Sequence, residues 1–124
     1  MMSQTPTPNP PELVLLKKLW AQGPLPVRVL HDACADQLDW SFSSTRKTLT
    51  RMSDKGLVVY QKPEAKGVAL YTARVSKTAT LANMARDFMR RVLEVDGPLP
   101  HVVFSASKLL NDEELEELEG LLGG

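Results

Sequence analysis

The sequence predicts a mainly α fold with a small β-wing, a winged helix-turn-helix, followed by a C-terminal helical segment. Three observations predict it. Residues 43–59, reading SSTRKTLTRMSDKGLVV, have helical periodicity with two unlike faces and a glycine before a strand-like run. At 100° per residue, Arg46, Lys47, Thr50, Arg51 and Asp54 share one side, while Thr45, Thr48, Leu49 and Met52 share the other. Residues 57–62 and 68–74 are rich in Val, Tyr and Leu on either side of the turn Pro63-Glu64-Ala65-Lys66-Gly67, which reads as a two-stranded ribbon. After Ser76, apolar residues recur at spacings of three and four, the mark of amphipathic helices added to a domain that could already be complete.

Each element has a local reason to form. Asn9-Pro10-Pro11-Glu12 is a helix start, with a capping Asn, prolines where a missing N–H costs nothing, and an acid in the first turn. Leu13, Leu16, Leu19 and Trp20 follow at helical spacing, and Gly23-Pro24 stops the helix. Pro26 opens the second helix, with Val27, Leu30, Cys34 and Leu38 on one face. Asp39-Trp40-Ser41-Phe42 then leads to Ser43 or Ser44 as N-cap of the third, which closes on Gly56. Ser76 caps a longer helix whose apolar positions are Leu81, Met84, Ala85, Phe88, Val92 and Val95; Arg86, Arg90 and Arg91 lie off that stripe. Asp96-Gly97-Pro98-Leu99-Pro100 breaks the chain, and residues 102–110 read as a short helix. Asn111 and Glu114 have capping-box spacing for a last helix with Leu115, Leu118, Leu121 and Leu122 as its stripe. The expected organisation is a disordered tail over 1–9, a winged helix over 10–75 and a helical dimerisation segment over 76–124.

The 124 residues carry no net charge, but its distribution is uneven. Residues 43–77 hold eight basic side chains against Asp54 and Glu64, a net +6. From Asp96 onward, seven acids face Lys108 alone, a net −6. This suits one part that binds a polyanion and another that stays off it. No apolar run approaches a membrane span, and MMSQTPTPNPP lacks the basic-then-apolar order of a secretory signal, so a cytoplasmic protein without membrane insertion is expected. A single cysteine, Cys34, excludes an intrachain disulfide framework; on the apolar face of the second helix it reads as an inert buried thiol. His31 and His101 belong to no zinc-like spacing, no nucleophile–base pattern or phosphate-cradling glycine loop occurs, and no metal, cofactor or enzymatic activity is expected.

A basic helix followed by a ribbon is the outline of a DNA reader. Arg46, Lys47 and Arg51 are the residues expected to touch DNA, since Arg can pair bidentately with guanine. Ser43, Ser44, Thr45 and Thr50 are candidates for phosphate contacts beside the helix N-terminus, with Thr45 also bordering the apolar face. Asp54 shares the basic face, near its C-terminal end and within reach of Arg51. Lys62 and Lys66 are candidate phosphate contacts from the wing. Trp20, Trp40, Tyr60 and Tyr71 read as packing residues rather than base-stacking platforms. The apolar, acidic stretch after Ser76 suits an interface with a second copy, which would place two readers on one palindromic operator.

Four blocks, in order, resemble the penicillinase-repressor (BlaI/MecI) family, to which the copper-responsive CopY regulators also belong. ELVLLKKLWAQGPLPVRVL (12–30) is similar to the family's first helix and the start of its second. STRKTLTRMSDKGLV (44–58) resembles its recognition helix, VALYTARVSK (68–77) its second wing strand, and NDEELEELEGLL (111–122) its closing dimerisation helix. The resemblance implies a dimeric repressor whose third helix enters the major groove of double-stranded DNA while its wing touches the backbone. The dimer contacts it implies fall on Phe88, Val92, Phe104, Leu109, Leu110, Leu115, Leu118, Leu121 and Leu122. In the β-lactam-sensing branch a membrane metalloprotease system leads to cleavage at an Asn-Phe bond, and alignment places that candidate site at Val103-Phe104, where the Phe is present and the Asn is not. The C-terminal cysteine cluster of the CopY branch is absent. From the residues alone one other class stays open: a winged helix whose basic face binds an acidic protein, with no operator preference.

Overall fold

The computed structural model describes residues 6–63, 67–95 and 107–123. The chain divides into two compact units, one of them Pro8–Val75 and the other containing Ser76–Gly124. The first unit contains α1 (Pro10–Gln22), α2 (Val27–Leu38), α3 (Phe42–Lys55) and an antiparallel pair, β1 (Val58–Gln61) and β2 (Leu70–Ala73). The second contains α4 (Lys77–Arg91) and α5 (Asp112–Gly123). This is the mainly helical architecture with a two-stranded wing that the periodicity predicts.

α1 begins with a complete capping box. Asn9 Oδ1 accepts from the Glu12 N–H at 3.0 Å, and Glu12 Oε1 accepts from the Asn9 N–H at 2.9 Å. The same carboxylate, nearly fully buried, receives Lys55 Nζ at 2.7 Å, which ties the start of α1 to the end of α3. The buried stripe of α1 is Leu15, Leu16 and Leu19, with Leu13 only half-buried. Trp20 lies at the rim and donates its indole N–H to the Val75 carbonyl at 3.0 Å. The core joins these leucines to Leu30, Cys34, Leu49, Met52, Leu57, Val58 and Tyr71. Truncating one such leucine to Ala typically costs about 2–5 kcal/mol.

The loop between α1 and α2 does more than connect. Leu25 lies between two prolines, which hold it extended. Its N–H donates to the Tyr71 carbonyl at 3.0 Å and its carbonyl accepts from the Tyr71 N–H at 2.9 Å, so β2 has a bridge partner on the edge opposite β1. α2 closes on Asp39 in the left-handed region, φ 49° and ψ 49°, a conformation that Asp tolerates better than most residues.

α3 starts two to three residues before the positions expected from sequence. Its N-cap is Ser41, whose Oγ accepts from the Ser44 N–H at 3.1 Å. Phe42 accounts for the earlier start. Its ring meets the edge of His31 with centroids 5.4 Å apart and carries the Arg28 guanidinium 3.8 Å from its centroid, so it joins the first turn. At the other end Gly56 takes φ 86°, the left-handed C-cap, and its N–H bonds back into the last turn.

In the second unit, Ser76 caps α4, accepting from the Ala79 N–H at 3.0 Å. Asn111 and Glu114 form the expected capping box on α5, with backbone-to-side-chain bonds of 3.0 and 2.8 Å. The helices meet through Ala82, Leu118 and Leu122, flanked by Ala85, Met89 and Leu110. Lys77 Nζ reaches both Glu114 oxygens at 3.0 Å, and Arg86 donates to the Leu121 carbonyl at 3.1 Å, capping the negative end of α5. The seam uses Leu118 and Leu122 of the expected α5 stripe; on α4 it keeps Ala85 from the expected stripe but otherwise runs through Ala82 and Met89, each one residue beyond Leu81 and Phe88. Small Ala82 and Ala85 let the helices approach, and the larger Phe88 and Val92 face outward, 53 % and 60 % exposed. Ser107–Leu110, the described part of the short helix expected at 102–110, contains a turn at Lys108-Leu109. The rest of that segment, with His101, Val103 and Phe104, lies outside the described residues, as do residues 1–5, 64–66, 96–100 and 124.

Candidate nucleic-acid interface

α3 is held rigidly by one face so that the other is free. Thr45, Thr48, Leu49 and Met52 are buried. Ser43, Arg46, Lys47, Thr50, Arg51 and Asp54 are exposed, as the helical wheel predicts. Three cations thus project along two turns of one helix, and a single carboxylate opposes them near its C-terminal end. Arg51 Nη2 lies 3.4 Å from Thr48 Oγ1 rather than pairing with Asp54. Thr50 Oγ1 donates to the Arg46 carbonyl at 3.0 Å, one turn back, and is also a hydrogen-bond partner of the Tyr71 side chain.

Thr45 requires a correction. It is fully buried, and its hydroxyl is consumed inside the protein. Trp40 Nε1 donates to Thr45 Oγ1 at 2.9 Å, and His31 Nδ1 lies 2.7 Å from the same oxygen. With both of these partners on its oxygen and no exposed surface, the Thr45 hydroxyl is not presented on the outer face of α3. Thr45 therefore links α3 to His31 of α2 and to Trp40 of the intervening loop, on the side of the helix away from the exposed cations. Ser44 is likewise turned toward its cap, with its Oγ 3.1 Å from Ser41 Oγ, while Ser43 is exposed.

The wing supplies the second correction. The strands pair Val58 with Ala73, Val59 with Thr72, Tyr60 with Tyr71 and Gln61 with Leu70. Alternation puts Val58, Tyr60, Tyr71 and Ala73 on one face. Val58 and Tyr71 are core residues, but Tyr60 is 46 % exposed. A strand advances about 3.3 Å per residue, and the core ends before it reaches Tyr60. The two tyrosine rings pack 5.0 Å apart at 54°. Burial raises the Tyr71 phenol above the ordinary tyrosine value, with the Tyr60 hydroxyl adding to the rise and Thr50 and Arg46 opposing it. Lys62 is exposed beyond β1, and Lys66 lies outside the described residues.

Between α3 and the wing runs an open cleft of about 540 Å³, with Arg46, Thr50 and Asp54 on one wall and Tyr60 and Tyr71 on the other. A second depression along α3, over Ser43, Arg46 and Lys47, shares Phe42, Arg46 and Thr50 with it. The surface carries the Arg46 guanidinium and the Lys47 ammonium together with the Ser43 and Tyr60 hydroxyls, while the Thr50 O–H is taken up by the Arg46 carbonyl. Its chemistry suits a phosphodiester strand and supplies no nucleophile–base pair. Among the described residues, no group of three His, Cys, Asp or Glu could hold a metal ion.

The described residues among those expected at a dimer contact, which leave out Phe104, divide into three groups. Phe88, Val92 and Leu121 are exposed apolar side chains, the last 43 % exposed. Leu118 and Leu122, by contrast, are buried against the chain's own α4, with Leu110 packed beside them. Leu109 and Leu115 are half-buried. Among the described residues, no helix is long and apolar enough to cross a membrane.

A family model described as Penicillinase repressor matches residues 10–123. No curated protein matches the chain.

Proposed function

Because this chain belongs to the penicillinase repressor family, a family of DNA-binding transcriptional repressors, we propose that it acts as a cytoplasmic homodimer that closes a palindromic operator with α3 in the major groove. One observation carries the proposal: Arg46, Lys47 and Arg51 stand on the free face of a helix whose other face is locked in the core. A row of cations at helical spacing on a helix anchored by its other face matches the edge of a groove. Lys62 extends the positive surface to the wing. Exposed Phe88, Val92 and Leu121 support a second copy as the partner of the C-terminal unit.

The test begins with selection of bound duplexes from a random pool, which yields an operator and its symmetry together. Arg46→Ala and Arg51→Ala are then titrated on that duplex at several salt concentrations. Loss of a base-reading contact costs about 1–3 kcal/mol and relaxes preference at one position, while loss of a phosphate contact lowers the salt slope by about one. Unchanged operator affinity in both variants would sink the assignment of α3. Phe88→Asp with Val92→Asp is expected to shift the sedimentation of the protein from dimer to monomer. A double variant that stays dimeric would place the interface elsewhere.

A further inference from the structure

We propose that Tyr60, on the wing side of the cleft facing α3, donates its phenolic O–H to a phosphate of the operator. The proposal rests on the repressor reading above and adds a contact that the basic residues do not supply.

Three features converge on Tyr60. Its strand position would bury it, yet it is exposed at the mouth of a cleft whose facing wall carries Arg46 and Thr50. Its ring is braced by Tyr71, and Tyr71 is itself fixed by two backbone hydrogen bonds to Leu25. A side chain held in this way gives up little conformational freedom on binding, which favours it as a contact. The cleft also continues into the depression over Ser43 and Lys47, so the donors form a track along α3 rather than an isolated spot. A strand of phosphates matches such a track in charge and in its demand for donors. Asp54, on the cleft wall near the C-terminal end of α3, marks where a phosphate is repelled and the track stops.

A neutral hydroxyl on a phosphate leaves a signature that a lysine does not. It contributes a hydrogen bond but releases no counterion, so its loss lowers affinity without changing the salt slope. Tyr60→Phe keeps the braced ring and removes only the oxygen. Titrated against the selected operator duplex and against a random-sequence duplex, the variant is expected to lose about tenfold per bound subunit on both, which corresponds to about 1.4 kcal/mol. The slope of log affinity against log salt stays that of the parent protein. A series of operator duplexes with single methylphosphonates locates the contact: at one phosphate per half-site, neutralisation weakens the parent but not Tyr60→Phe. Parent-like affinity of Tyr60→Phe on both duplexes would overturn the proposal while leaving the repressor reading in place. A loss confined to the operator, with altered base preference, would also overturn it. Failure of the parent protein to bind any duplex would instead sink the repressor reading on which it rests.

Discussion

Replacing Thr45 by Val separates architecture from DNA contact at the start of α3. Valine keeps the shape and β-branching of threonine and deletes only the hydroxyl, so helix propensity barely changes. Two groups lose a partner: the Trp40 indole N–H at 2.9 Å and His31 Nδ1 at 2.7 Å. Leaving a buried polar group unpaired costs about 1–3 kcal/mol. Trp40 is half-buried and takes the low end of that range, whereas His31 is buried and takes the middle. The extra methyl offsets about 0.8 kcal/mol, which leaves a net destabilisation of about 1–3 kcal/mol. Both tryptophans lie in the Pro8–Val75 unit, so urea unfolding followed by tryptophan fluorescence reports on that unit alone. Thr45→Ser retains the hydroxyl and is expected to lie between the parent and Thr45→Val. Duplex binding by Thr45→Val should fall only as far as the loss of folded protein requires. A variant as stable as the parent but unable to bind DNA would refute the reasoning, because the hydroxyl would then act at the phosphate.

Three further outcomes are expected. Lys55→Met leaves the buried Glu12 carboxylate with the Asn9 N–H as its remaining partner and should destabilise the first unit by about 1–2 kcal/mol in urea titrations; the figure is below that of a fully enclosed pair because Lys55 is partly in water. An unchanged midpoint would show that the bridge contributes nothing. The Asn111 backbone bond, aided by Lys77, holds the Glu114 carboxyl below the ordinary glutamate value against the opposing effect of burial. A lowered folded pKa means stability that is present above the unfolded value and disappears as pH falls through the folded one. Thermal melts by circular dichroism should therefore show Glu114→Gln less stable than the parent at neutral pH, with the two converging in acid; a constant gap across that range would contradict it. Thr80 Oγ1 is buried without a hydrogen-bond partner among the described residues, so Thr80→Val should raise stability by about 1 kcal/mol, and a lowered melting temperature would show a partner there.

The repressor's sequence determines what depends on near neighbours. The Asn9–Glu12 and Asn111–Glu114 caps each close within four residues, and a period of 3.6 suffices to separate the Arg46/Lys47/Arg51 face of α3 from its core face. The order of helices and wing strands follows from the same short-range code. What the tertiary structure alone decided concerns contacts between distant segments. The Glu12–Lys55 bridge joins residues 43 apart, and the His31–Thr45 contact joins two helices across a turn. The wheel places Thr45 with Thr48, Leu49 and Met52 on the apolar side, but that its oxygen meets Trp40 and His31 there depends on the tertiary fold. Tyr60 shares the core face of its strand by alternation, but only the extent of the core shows that burial ends at Tyr71 and leaves Tyr60 at the cleft. On α4, the pairing with α5 through Ala82 and Ala85, rather than through Phe88, depends on which stripe allows the closer approach of two backbones. A periodic pattern lists the faces a helix can bury, and the packing partner selects among them.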